Sequence, residues 1–494
     1  MSLPYILFFS HIPQIEWYGF IAKELSRRLS TRTVIWLIGE QDHKYAHSSG
    51  NFDQTVNLLS GLNPAIAEQE CSTNLAYMAH FERKCGGLFY HCDVAMDRYI
   101  ASRKWSYARI AQYSAHLLRA MEQELDKMGE FPAAAFGEAN SLPYRLAHHL
   151  LGSTVHYWNF AIVRHWDHRF FLDDGQTEQW PQCREKYSQF RREGIPEPLY
   201  LLSRDRLNTL RSGRIRAPGL SDAFRGSNGF WQRIKWTRIK RASSYWLKQL
   251  KSKEGLADPR VQHLWEASPI GKAQRTLIGM IRKQFFDKMA CPSLPANSAV
   301  ASYFLHVQPE HSVETLAFEF RDQLALIQNI APFLPANMQL VVKEHPGMIG
   351  MRDLAFYKKL LEIPNVVLVS DMINSYDLIR RSRIVLTLTG SAALEAMYEG
   401  IPVILFGDVF FDSFEGIYKI QSIKELNITV SALLDNPNSG ACEEAAIRAL
   451  AAMYDASYPG DVSLPHTIEE MREPNNVRLL ADAVVKELYA LRGA

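Results

Sequence analysis

Three stretches of the sequence end an apolar run on side chains suited to binding anions and sugars: LHVQPE (305–310), VVKEHPG (341–347) and TLTGSAALEAMYEG (387–400). In the third, Thr389 ends a strand, Gly390 permits a tight turn, and Ser391 opens a helix as its N-cap. The free N–H groups of that first turn, with the helix dipole behind them, form a ready anion site. Glu395, one helical turn further in, is placed to accept hydrogen bonds from a sugar diol. In the second stretch Lys343 and His345 follow a strand, and the His345-Pro346 step fixes the backbone so that the imidazole can donate to a phosphate. In the first, His306 and Glu310 lie just past another strand end. Taken singly, each has an ordinary reading as a helix cap or a satisfied core histidine. Three polar strand ends on one rim make a ligand site, because doubly wound sheets bind ligands at the carboxyl ends of their strands.

The elements that position them follow from hydrophobic patterning. The chain opens with an apolar run (5–10), an amphipathic stretch (15–29) and a second apolar run (33–39), which predicts a β-α-β start to a parallel sheet. Residues 131–152 read as a strand, a turn at Gly137-Glu138 and a helix from about Ser141. The α/β pattern resumes with strands at 302–307, 339–343, 365–370, 383–389 and 403–407, with helices at about 314–330 and 391–400. Such strands, separated by helices, suit a parallel sheet buried on both faces. The final 70 residues read as helical.

A chain of 494 residues exceeds one compact core, so two domains with extra elements are expected. No apolar run approaches the ~18 residues of a spanning helix. The start MSLPYILFFSHIP reads as a first strand rather than a secretory leader. Six scattered cysteines without a C-x-x-C pair argue against a zinc site or a disulfide framework and fit a reducing cytoplasm. His165-Trp-Asp-His168 is too compact, without a distant partner, to be read as a metal site, and His148-His149 reads as ordinary helix.

The middle of the chain differs in kind. From Arg184 to Lys253 there are 18 Lys/Arg against 5 Asp/Glu, with Trp231, Trp236 and Trp246 interleaved. The stretch 230–253, including Arg233, Lys235, Arg238, Lys240 and Arg241, reads as a helix that could lie on an anionic membrane. Nucleic-acid binding and a solvated connector are the alternatives, and no nucleic-acid partner is expected.

LHVQPE, FEFRDQLALI, LVVKEHPG and TLTGSAALEAMYEGIPVILFG, in this order over roughly residues 300–410, resemble the C-terminal half of bacterial capsule and surface-polysaccharide biosynthesis proteins, among them Kdo transferases. The resemblance implies a GT-B-like α/β fold, two Rossmann-like domains facing a cleft, to which the residues themselves add a basic helical insertion and C-terminal helices. The corresponding division is an acceptor domain (1–175), an insertion (176–295), a nucleotide-sugar-binding domain (296–420) and terminal helices (421–494). It further implies that His345-Pro346 and Gly390-Ser391 hold the nucleotide phosphate, and that the donor is CMP-linked. An acidic residue of the N-terminal half, for which Glu138 is the positional match, would be the general base. The implied activity is inverting transfer of a Kdo-like sugar to a glycan or lipid-linked glycan, without metal or cofactor. The expected location is the cytoplasm, peripheral to the inner face of the plasma membrane. The rivals are a CDP-polyol phosphotransferase of the teichoic-acid kind, a nucleotide-sugar 2-epimerase, and a non-catalytic polysaccharide assembly or export protein.

Overall fold

A computed structural model describes residues 4–10, 14–97, 105–137, 141–174, 177–212, 269–436, 438–462 and 471–493. Glu138 and the five cations Arg233, Lys235, Arg238, Lys240 and Arg241 lie outside the described residues.

Thirteen described strands form two sheets: β1 Ile6–Ser10, β2 Thr33–Leu37, β3 Gln54–Asn57, β4 Ala134–Phe136, β5 His156–Ile162, β6 Arg169–Asp173, β7 Ala299–Phe304, β8 Met338–Lys343, β9 Val366–Val369, β10 Ser382–Thr387, β11 Val403–Leu405, β12 Ile417–Lys419 and β13 Tyr458–Pro459. The N-terminal sheet runs β13-β6-β5-β4-β1-β2-β3, and the C-terminal sheet runs β12-β11-β10-β7-β8-β9. Every pairing in the C-terminal sheet is parallel. This two-sheet α/β layout is the one the sequence implies. The N-terminal sheet departs from it near one edge, where β6 runs antiparallel to both its neighbours, β5 and β13.

The central strands of both sheets are buried on both faces, which is why they read as continuous apolar runs. β1 and β2 have no exposed position. The helix Gln14–Leu29 covers the N-terminal sheet with Ile15, Tyr18, Ile21, Ala22 and Leu25, at helical spacing. The last helix, Pro474–Gly493, returns from the C-terminal half to pack on it. Ion pairs Arg28–Asp482 and Arg472–Glu16 flank that contact.

The helices Pro181–Glu193 and Glu197–Arg211 pack on Glu443–Asp455. One apolar core therefore joins Val163, Trp166, Phe171 and Trp180 to Leu394, Met397, Phe410 and Leu450. The stretch expected as one helix near 314–330 is instead a short helix His311–Glu314, a 3-10 turn Phe318–Phe320 and a helix Gln323–Ile330. The break has a local cause: Asp322 caps the last of these through the Ala325 amide.

Candidate functional site

The parallel register of β7, β8 and β10 brings their carboxyl ends together. β7 ends at Phe304 and β10 at Thr387, each two or three residues earlier than apolar patterning suggests. The polar residues that follow leave the ladder because other groups take their backbone atoms. His306 N donates to Gln323 Oε1 at 2.8 Å, and its carbonyl accepts from Arg352 Nη2 at 2.8 Å.

Arg352 also pairs with Glu344, Nε to Oε2 at 2.6 Å, and the Tyr357 hydroxyl donates to the same oxygen at 2.7 Å. Glu344 Oε1 accepts from the His345 amide at 2.8 Å. Glu344 is 1% exposed and Arg352 8%. One buried carboxylate–guanidinium pair thus fixes the backbone of both candidate histidines. Leaving either charge alone in the interior would cost ~3–5 kcal/mol.

His306 is buried. Its Nε2 accepts from the Thr389 amide at 3.3 Å and lies 3.5 Å from Thr387 Oγ1. Its buried Nδ1 completes no hydrogen bond. Burial first, then the positive character of His345, Arg164 and Arg352, pulls its pKa down to about 3. His306 is therefore a neutral ring locking the β7 end to the β10 turn. Gly390 is required at that approach: a Cβ there would lie 2.9 Å from Thr387 Oγ1 and 3.1 Å from His306 Nε2.

His345 is half-buried. Its Nδ1 accepts from the Gly347 amide at 3.1 Å, capping the 3-10 turn Pro346–Met348. The neutral ring consequently carries its proton on Nε2, facing no protein acceptor among the described residues. Burial lowers its pKa, opposed by the nearby carboxylates of Glu310 and Glu344. Glu310 itself accepts from Ser312 Oγ at 2.9 Å, and the Ser312 carbonyl accepts from Thr389 Oγ1 at 3.1 Å.

Two sequence expectations change in detail. Ser391 occupies the N-cap position of the helix Ala392–Tyr398, but with φ −57° and ψ −20° its side chain makes no cap bond. The hydroxyl reaches Glu395 Oε1 at 3.4 Å instead. Lys343 does not extend toward the other strand ends: its ammonium donates to the carbonyls of Ile373 at 2.6 Å and Asp371 at 3.3 Å. Burial pulls that ammonium down to about 8, opposed by the Asp371 carboxylate. Lys343 thereby ties down the loop after β9.

The geometry thus brings together His306, Glu310, His345, Thr389, Gly390, Ser391 and Glu395, with Pro346 exposed beside them. Sequence reasoning passed over Glu344, Arg352 and Gln323, although Glu344 stands between the two residues it singled out. It also set aside the tip of the β5–β6 hairpin, where Arg164 Nη1 donates to the Thr389 carbonyl at 3.3 Å. There His165, fully buried, meets the Tyr398 hydroxyl at 3.3 Å and lies 4.0 Å from Glu395. His168, by contrast, is exposed and pairs with Asp461.

Among curated proteins, none matches this chain. Similar solved structures include the beta Kdo 2,7 transferase of KpsC from Thermosulfurimonas dismutans (12% identity, TM-score 0.32, covering 72% of this chain and 88% of that one). Another is Anabaena Alr3699/HepE in complex with UDP and glucose (10%, 0.30, 98% and 99%). A third is the UDP-GlcNAc 2-epimerase of Neisseria meningitidis bound to UDP-GlcNAc (13%, 0.24, 92% and 98%). TM-scores of this size bear on neither fold nor activity. Residues 260–431, about a third of the chain and the part that carries every described donor-site candidate, match the family model described as capsule polysaccharide biosynthesis protein.

Proposed function

We propose that this chain is an inverting, metal-independent glycosyltransferase of bacterial surface-polysaccharide synthesis. In this reading it moves a Kdo-like sugar from a CMP-activated donor to a glycan or lipid-linked glycan. The observation that carries the reading is the meeting of His306, Glu310, His345 and the Thr389–Glu395 turn at three parallel strand ends. They meet inside the segment similar to capsule polysaccharide biosynthesis proteins.

Transfer separates the sugar from a phosphate whose negative charge grows as the bond breaks. A donor aimed at that phosphate binds the transition state more tightly than the ground state, and so raises the rate. His345 suits the task because Gly347 holds its Nδ1 and leaves Nε2–H to donate. Gly390 and Ser391 would meet the same phosphate, and Glu395 would take the nucleotide's sugar hydroxyls. Lys343 would act indirectly, by holding the Asp371–Ile373 loop that could line the base. Glu138, in the segment that follows β4, is the proposed base for the acceptor hydroxyl.

Peripheral contact with an anionic membrane belongs to the same reading. Its support is the excess of cations over 184–253, together with exposed Leu277, Ile281 and Phe285 on the helix Pro269–Met289. No helix of the described residues is long and apolar enough to cross a membrane.

The test is to incubate the chain with a CMP-linked 3-deoxy sugar, with and without a lipid-linked glycan acceptor, and measure CMP release and product. CMP release, product formation and retention of both in EDTA are expected. Glu138→Gln should lower transfer by ~10²–10⁴-fold while CMP affinity stays within a few-fold. Turnover of a UDP- or CDP-linked donor instead would overturn the CMP reading in favour of the epimerase or polyol-phosphate alternative. Binding without turnover of any donor would favour the assembly protein.

A further inference from the structure

The site as built from the C-terminal sheet has donors for a phosphate but little free positive charge. Lys343 is committed to two backbone carbonyls. Arg352 is committed to Glu344 and the His306 carbonyl. His306 is a neutral ring whose Nε2 accepts rather than donates. A nucleotide phosphate bound there would need a cation from elsewhere.

The hairpin between β5 and β6 reaches the same turn from the N-terminal sheet. Its tip is anchored by buried groups on both sides of Arg164. Val163 and Trp166 belong to the core that contains Ala393, Leu394 and Met397, and Trp166 Nε1 donates to the Leu450 carbonyl at 3.0 Å. His165 takes the left-handed conformation, φ 71°, which is costly for a residue with a Cβ and is held here by packing and by Arg206 Nε on its carbonyl at 2.6 Å. That turn sends neighbouring side chains to two places on one segment, His165 to Tyr398 and Glu395 on the helix Ala392–Tyr398, and Arg164 to Thr389 in the turn before it.

Arg164 is held loosely by comparison with Lys343 and Arg352. One guanidinium nitrogen meets the Thr389 carbonyl at 3.3 Å and another meets Glu178 at 3.5 Å, both long for charge-assisted bonds. A guanidinium has five N–H groups in a planar fork suited to phosphate. The side chain is about a quarter exposed, one residue from Gly390-Ser391. Its charge also reaches His306, where it helps keep that ring neutral.

We propose that Arg164 is a catalytic residue of the N-terminal half, the cation that meets the donor's phosphate beside the Thr389–Ser391 turn. The assignment rests on the donor-binding reading above. It makes charge neutralisation at the phosphate depend on the hairpin tip, so the two halves of the chain share one donor site.

Titrating the full chain with CMP and with cytidine separates phosphate binding from base binding. Arg164→Gln is expected to weaken CMP by about 10- to 100-fold and to leave cytidine within about twofold, with Arg164→Lys between wild type and Gln. Transfer from the CMP donor should fall at least as far as CMP affinity does. Equal loss of CMP and cytidine would make Arg164 a structural residue and overturn the assignment, as would unchanged CMP binding in Arg164→Gln. A wild-type chain that binds neither CMP nor any other nucleotide would overturn the donor-site reading itself. Wild-type binding with an insensitive Arg164→Gln overturns only this assignment.

Discussion

The two sheets share a plan and differ at their carboxyl ends. In the N-terminal sheet the described rim is closed by packing: Phe8 stacks on Phe136, and Phe9 lies 4.2 Å from Tyr144. A Cβ on Gly137 would strike the Phe9 carbonyl at 2.8 Å. Polar contact at the strand tips themselves is uncharged, as in Ser10 Oγ to Gln14 at 3.2 Å and the Gly39 amide to Asn57 Oδ1 at 3.1 Å. In the C-terminal sheet the same positions carry a buried network running from Tyr357 through Glu344 and Arg352 to the His306 carbonyl. Buried charges are expensive unless every partner is present, and a complete network holds its members in one geometry. The difference teaches where the buried charge acts. In the C-terminal sheet it fixes the strand-end residues His306 and His345 themselves. In the N-terminal half it pins the helix after β4, through Arg145 on Asp93 and the Leu142 amide on Asp97.

That contrast is open to direct attack. The largest effect is expected from Glu344→Ala, which strands Arg352 in the interior and should destabilise the fold by ~3–5 kcal/mol in urea unfolding. Ser10→Ala, at the matching end of the first sheet, should cost no more than ~1 kcal/mol. Comparable losses at the two sites would erase the distinction.

The next effect is on acid stability. His306 has a folded pKa of about 3 against an ordinary 6.5, so below 6.5 the unfolded chain takes up a proton that the native state refuses. The stabilisation is complete above pH ~6.5 and drains away as pH falls toward ~3, by an amount on the order of a few kcal/mol. His306→Asn should flatten that part of the stability–pH profile. An identical slope in wild type and variant would mean that His306 is not held neutral.

A smaller effect is expected from Gly390→Ala. The added methyl meets Thr387 and His306, so a cost of ~1–3 kcal/mol and weaker CMP binding should appear together. Gly87→Ala, where a Cβ meets nothing within 4 Å, should stay within ~0.5 kcal/mol. If Gly390→Ala is equally silent, the close packing of the β10 turn against His306 is not needed.

Much of this was legible because parallel strands buried on both faces announce themselves as apolar runs, and their carboxyl ends are where polar residues interrupt. β1, β2, β7, β8, β9, β10 and β11 all read in this way. β12 and β13, three and two residues long, are too short for any period to register. The partner of β13, moreover, is β6, nearly 300 residues away in sequence. Local chemistry was legible in kind but not in pairing. Lys343 looks like a phosphate cation from its neighbours, yet the Asp371–Ile373 loop claims it. Arg164 looks like part of an unremarkable R-H-W-D-H run, because what singles it out is a contact with Thr389, 225 residues further on. Ser391 has the right type for a cap, and Glu395 on the same helix competes for its hydroxyl.

The central claim is that the strand ends around His345 and Gly390 hold the phosphate of a cytidine nucleotide. Thermal unfolding of the wild type and His345→Ala, each with CMP, CDP, UMP or UDP at equal concentration, tests it most directly. A nucleotide present at ~100 times its dissociation constant adds about 2.7 kcal/mol to native stability. CMP should give the largest upward shift in wild type, and that shift should shrink in His345→Ala. A larger shift with UDP or CDP, or a CMP shift that His345→Ala leaves intact, would contradict the account.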